Sequence, residues 1–179
     1  AAPLGGGGRG GAWAIDRVGG PGGDGVVDVA WQPGFVGGAV RARSGRTGTW
    51  VFVASCSVYA APDTIGADES AGLRPALEGD EATMETYGEA KVACERAVLD
   101  ALGKDKSVIA RSGLIAGPGD HTDRTGYWPL RSARPSMADG SVLVPADLTV
   151  STQVVYVRDL AVCLLRVSHA STRGRLHRP

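Results

Sequence analysis

Neither charge is in surplus. Nineteen Lys and Arg stand against nineteen Asp and Glu, which leaves no electrostatic case for a nucleic-acid partner or an anionic membrane surface. Cysteine is scarce as well. Cys56, Cys94 and Cys163 contain no Cys-x-x-Cys pair and are odd in number. Free thiols in a reducing compartment are therefore expected, not a disulfide framework. No apolar run approaches 18 residues and no charged-then-apolar leader opens the chain, so neither a membrane span nor a signal peptide is expected. The three histidines, His121, His169 and His177, lie far apart, without metal-ligand spacing to Cys or carboxylates. No metal is expected. These absences together point to a cytoplasmic protein.

What is there is ordinary in bulk and uneven along the chain. Apolar residues make up 43% and charged residues 21%, values normal for a globular protein. At 179 residues there is room for one domain with a real core. Sixteen of the 27 glycines fall before residue 49. Glycine raises the entropy cost of ordering and brings no side chain to bury. Residues 1–23 are therefore expected to be poorly ordered, with a single domain over 24–179. The first residue is not Met and the last five are Arg-Leu-His-Arg-Pro, which reads as a truncated chain.

Secondary structure is legible from apolar periodicity. The β-branched run 25–31 is bounded by Gly and Pro and predicts a buried strand. Residues 35–44 predict a weak helix, opposed by Gly37 and Gly38. Trp50 to Ala54 is wholly apolar, as in a strand covered on both faces. Residues 61–83, rich in Pro, Asp, Glu and Gly, predict a long surface loop of the functional or mobile kind. From Glu85 to Leu102, Ala90, Ala93, Cys94, Ala97, Val98 and Ala101 recur at helical spacing, and Gly103 supplies a stop. Further strands are expected at 107–111, 142–144 and 153–157, with 120–141 irregular between them. A last helix over 158–169 carries Leu160, Leu164 and Val167 on one face and Asp159 in its first turn. Strands alternating with helices predict an α/β fold on a parallel sheet.

The chemistry centres on Tyr87-Gly-Glu-Ala-Lys91. Residues four apart on a helix share a face, so the Lys91 ammonium can approach the Tyr87 phenol. A nearby cation favours the tyrosinate, which makes Tyr87 a candidate acid/base for carbonyl–alcohol interconversion. A solvent-facing pair on an amphipathic helix would show the same spacing. Ser55 adds context, because it ends a predicted buried strand, where open α/β sheets build their ligand crevice.

The segment Val51-Phe-Val-Ala-Ser-Cys-Ser-Val-Tyr-Ala60, followed by Tyr87-Gly-Glu-Ala-Lys91, resembles the extended short-chain dehydrogenase/reductase family, also called NAD-dependent epimerase/dehydratases. The resemblance implies a partial Rossmann-like, doubly wound parallel sheet with a small, incomplete substrate-binding part. It implies NAD or NADP as cofactor. It makes Ser55, not Ser57, the hydroxyl that holds the substrate oxygen, with Tyr87 exchanging the proton and Lys91 also holding the nicotinamide ribose. Val26–Pro33 resembles the fourth strand of the nucleotide-binding half, placing Ala30 near the cofactor. Ile109-Ala-Arg-Ser-Gly-Leu-Ile-Ala-Gly-Pro118 resembles the family's Arg-Pro-x-x-x-x-Gly-Pro segment, which brings Ser112 (usually Pro) and Gly113 to the nicotinamide. Val155-Tyr-Val-Arg-Asp-Leu-Ala161 resembles a segment beside the substrate, with Tyr156 in place of His. The stretch 117–129 is similar to a version found in actinobacterial reductase-like members.

Departures from the family narrow the expectation. Leu4-Gly-Gly-Gly-Gly-Arg-Gly-Gly-Ala12 has the glycine spacing of a phosphate loop, but no apolar strand precedes it and no helical pattern follows. The first two βα units are therefore expected to be missing. Ser55 is followed by Cys56 and Ser57, which carry no carboxylate, and this counts against a dehydratase. Asp123, Arg124 and Tyr127, with Asp120 and Trp128 beside them, are candidates for a substrate pocket, as is Gln153; a solvated loop would have the same composition. The expected activity is an NAD(P)-dependent reductase, dehydrogenase or epimerase acting on a carbonyl or hydroxyl carbon, with a sugar nucleotide among the candidate substrates. The alternative is a non-catalytic binding domain or an inactive fragment on the same scaffold. A homodimer would form through the Glu85–Leu102 helix.

Overall fold

The computed structural model describes residues 17–18, 25–120, 122, 124–144, 146 and 152–169. They fall into two compact units, with Arg17 to Arg111 and residues from Arg166 onward in one and Ser112–Leu165 in the other.

The first unit is built around β3 (Thr49–Ser55). Its sheet runs in the order β1 (Arg17–Val18), β2 (Gly25–Asp28), β3, β4 (Ser107–Ser112). β2 and β3 pair in parallel with Val26 opposite Trp50, and β1 runs antiparallel to β2. Arg17–Val18 thus forms a strand inside the segment expected to be poorly ordered; the rest of that segment lies outside the described residues. Parallel neighbours need a crossover, and α1 (Pro33–Arg43) supplies it between β2 and β3. Pro33 starts α1 because its fixed φ suits the first helical turn and its missing N–H is not needed there.

α2 (Tyr87–Lys106) follows β3 after the long loop and leads into β4. Gly103 breaks its helical path at φ 70, in the left-handed region where the residue expected to stop the helix is at ease. On one face of β3, Trp50, Phe52 and Ala54 join Val26, Val36, Val40, Cys94, Val98 and Leu102 in a single core between sheet and helices. Val51 and Val53, on the other face, are buried as well, so the apolar run is covered on both sides as expected.

The 61–83 loop is tied down rather than loose. Gln32 grips it at Ala82 through both ends of its amide, Nε2 donating to Ala82 O at 3.0 Å and Oε1 accepting from Ala82 N at 2.7 Å. Gly34 N donates to Asp80 O, Arg74 N to Val58 O and Leu77 N to Glu89 O. An Arg74–Glu89 ion pair adds to these.

The second unit contains β5 (Leu114–Ala116) paired in parallel with β6 (Val154–Tyr156). Two expectations need correction. Residues 127–133 form a helix, α3 (Tyr127–Ala133), inside the stretch read as irregular; Pro129 lies in its first turn, where no N–H is required. Residues 142–144 form no strand, because a three-residue apolar run without a pairing neighbour gains no ladder. α4 (Val157–His169) closes the described chain, with Leu164 and Val167 buried.

Candidate active site

Three elements of the first unit carry the candidate residues. β2 ends at Asp28 and turns through Ala30. β3 ends at Ser55. α2 starts at Tyr87.

Lys91 is the best-defined member, only 3% exposed. Its Nζ donates to Ala30 O at 2.8 Å and to Val53 O at 2.7 Å, so the ammonium bridges the ends of two parallel strands. It lies 4.7 Å from the Phe52 ring centroid and 6.0 Å from that of Tyr87. The i, i+4 spacing thus puts amine and phenol ring on one side of the helix. Burial lowers the Lys91 pKa from 10.5 to about 8, partly offset by Cys94, Asp28 and Glu95. Cys94 is itself held protonated to about 12 by burial. It carries no charge where Lys91 titrates, so the carboxylates are the offsetting groups that act near pH 8. At neutral pH Lys91 is a cation.

Tyr87 is half-buried, its ring 5.6 Å from that of Trp31 and tilted by 51°. Trp31 follows Ala30 directly, so the β2 turn that receives Lys91 also braces the phenol ring. Ser55 is half-buried, and its Oγ accepts from Ser57 N at 3.1 Å and lies 3.1 Å from Ser57 Oγ. The backbone N–H fixes the position of the oxygen, and the hydroxyl proton is donated to Ser57 Oγ.

Gly88 joins these parts. A Cβ at this position would press into Ser57 O and meet Arg74 Cδ at 2.8 Å. The first turn of α2 therefore sits directly on the turn that follows Ser55, which is possible only without a side chain. Behind it, Arg111 forms a two-pronged pair with Glu95, Nε–Oε1 at 3.0 Å and Nη2–Oε2 at 2.8 Å. The guanidinium also lies over the Tyr59 ring at 5.2 Å. Cys56 Sγ contacts Arg111 O at 3.7 Å, and burial raises its pKa, consistent with a packed thiol.

The sequence reading missed Gly88, Asp28, Trp31 and the Arg111–Glu95 pair. Gly88 lay inside the chosen motif, and a glycine one residue into a helix was the available signal. The others depend on tertiary contacts that no local spacing announces.

Within the second unit, Gly113 and Gln153 are in contact. Leu114 N donates to Gln153 O at 2.9 Å, and a Cβ on Gly113 would meet that oxygen at 2.6 Å and Gln153 Oε1 at 2.8 Å. Ser112 is the last residue of β4. Arg124 is exposed and donates to Thr122 Oγ1 at 3.0 Å. Tyr127 is exposed against Trp128 and Arg131. Asp123 lies outside the described residues. Among the described residues there is no group of three or more His, Cys, Asp or Glu placed to hold a metal, and no helix long and apolar enough to cross a membrane.

The residues present suit the nicotinamide-ribose end of a dinucleotide. Two of the three Lys91 N–H donors are spent on carbonyls, which leaves one for a hydroxyl. No curated protein and no solved structure gives a significant match. The model of the NAD dependent epimerase/dehydratase family matches residues 38–177, well over half of the chain, and the protein belongs to that family.

Proposed function

We propose that the protein interconverts a carbonyl and an alcohol carbon with NAD or NADP, using Tyr87 as acid/base, Lys91 as its charge partner and Ser55 as the hydroxyl that holds the substrate oxygen. Family membership supports NAD(P)-dependent oxidoreductase or epimerase chemistry in general. The observation that carries the finer reading is the buried Lys91 ammonium, fixed on Ala30 O and Val53 O beside the Tyr87 ring.

In the reducing direction the Tyr87 phenol gives its proton to the carbonyl oxygen as the carbon is reduced. The Lys91 charge stabilises the tyrosinate left behind, and the third ammonium proton would be the one available to a ribose hydroxyl of the cofactor. The Ser55 hydroxyl donates to the same substrate oxygen, its own oxygen steadied by Ser57 N–H. The cofactor, if bound beside Ala30 and Lys91, would supply or accept the hydride. A sugar nucleotide is the candidate class of substrate. A homodimer through α2 belongs to the same reading, since Arg96 and Asp100 face solvent there; sedimentation of the intact chain tests it.

Tyr87→Phe removes the transferable proton and keeps the ring against Trp31. Turnover should fall by at least about a hundredfold while NADH and NADPH titrations, followed by fluorescence, stay close to those of the unsubstituted chain. Undiminished turnover would reject the role. Failure of the unsubstituted chain to bind either cofactor would favour the non-catalytic reading.

A further inference from the structure

Asp28 is 4% exposed, ends β2 and takes no part in the proton transfer described above. Its Oδ1 accepts from Ala30 N at 2.9 Å, closing a turn of the kind Asp makes two residues on. The carbonyl of that same Ala30 accepts from Lys91 Nζ at 2.8 Å. Its other oxygen, Oδ2, is buried without a hydrogen bond among the described residues, as is Trp50 Nε1. A buried carboxylate is expensive unless something nearby compensates its charge.

We infer that Asp28 is the positioning residue for Lys91, clamping the Ala30 peptide that receives the ammonium and supplying the buried counter-charge that keeps the amine protonated. The assignment deepens the proposed function and rests on its reading of Lys91.

The charge environment is consistent with this. Burial raises the Asp28 pKa, while the Ala30 N–H, Lys91 and the Trp50 indole pull it back. The indole acts without reaching hydrogen-bond geometry. Around Lys91, β2 contributes Asp28, β3 contributes the Val53 carbonyl and the Phe52 ring, and α2 itself contributes Tyr87, Cys94 and Glu95. Cys94 is a neutral thiol near pH 8, and Glu95 is paired to Arg111. Asp28 is left as the carboxylate without a cation of its own among these groups.

The chain has three lysines, Lys91, Lys104 and Lys106, so lysine labelled with carbon-13 at Cε lets the Lys91 titration be followed by NMR in the 179-residue protein. Lys91 should titrate near 8. Asp28→Asn keeps an oxygen for the Ala30 N–H and removes only the charge, so the Lys91 midpoint should move further down. Asp28→Ala also removes the clamp and should speed hydrogen exchange at the Ala30 amide. An unchanged Lys91 midpoint in a folded Asp28→Asn protein would overturn the assignment. Should both variants fail to fold, the Asp28 carboxyl carbon of the unsubstituted chain must show a second inflection at the Lys91 midpoint, and its absence would overturn the assignment equally. These titrations need neither cofactor nor turnover. An active Tyr87→Phe protein would remove the proposed chemistry and leave them intact, whereas an uncoupled Asp28 would leave the Tyr87 assignment standing.

Discussion

At the residue scale, the site depends on one side chain that is missing. Tyr87 and Lys91 are four apart, and the helix brings ring and amine to one side whatever lies between them. Placing that helix against Ser55 is a separate matter, settled at Gly88. Replacing Gly88 with Ala drives a methyl group into the Ser57 carbonyl. The Arg74 side chain can swing away, but the backbone oxygen cannot move without disturbing the turn that holds Ser55. Gly88→Ala should therefore cost about 1–3 kcal/mol in urea unfolding. It should also lower turnover more than it weakens cofactor binding, because Lys91 is anchored a turn further along. The Tyr-x-x-x-Lys spacing and the strand-end Ser were legible because each is a local pattern. Gly88 and Asp28 were not, because their roles appear only when β2, β3 and α2 meet.

At the scale of elements, apolar runs were the most readable feature. Trp50 to Ala54 is apolar at every position, and both faces of β3 are buried. Phe52 connects core and site: it is fully buried among α1 and α2 side chains, and its ring lies under the Lys91 ammonium. Phe52→Ala should destabilise the protein by about 3–5 kcal/mol, and in whatever remains folded it should free Lys91 to titrate closer to its ordinary value. Phe52→Leu should recover most of the stability but not the ring's attraction for the cation. α1 forms despite Gly37 and Gly38 because Val36 and Val40 are buried in the core; packing overrides propensity there. The 61–83 loop shows the limit of composition. Its polar residues correctly announce a surface loop but not its moorings, which are backbone bonds, one glutamine and the Arg74–Glu89 ion pair. Gln32→Ala removes both amide bonds to Ala82, and limited proteolysis should then cut near residues 80–82 faster than in the unsubstituted chain. The strand expected over 142–144 and the helix missed at 127–133 failed for a related reason. Short segments take their state from neighbours that the sequence does not identify.

At the scale of the whole molecule, equal numbers of acidic and basic residues leave a few buried groups to govern how stability responds to alkali. Lys91 titrates at about 8 when folded and 10.5 when exposed. Between those values the unfolded chain holds a proton that the folded chain has lost, so stability rises with pH. Cys94 works in the opposite sense. Its thiol ionises at 9.0 when exposed and at about 12 when buried, so above 9.0 the folded state holds the extra proton and stability falls with pH. Cys56, also raised by burial, adds to that fall. The unfolding free energy should therefore climb from pH 8 to pH 9, stop climbing once the thiols oppose the amine, and decline beyond about 10.5. Urea titrations in half-unit steps would trace this curve. Lys91→Met should abolish the climb and leave only the decline, and Cys94→Ala should extend the climb towards higher pH. A flat profile between pH 8 and 9 in the unsubstituted protein would mean that Lys91 is solvated in the folded state, and the site built on its burial would not exist. The same window bears on chemistry, because a charge partner for Tyr87 must be an ammonium. Cofactor affinity and turnover should begin to fall above pH 8, where stability is still increasing. A protein that loses activity while gaining stability over one pH unit would separate the state of the site from the integrity of the fold.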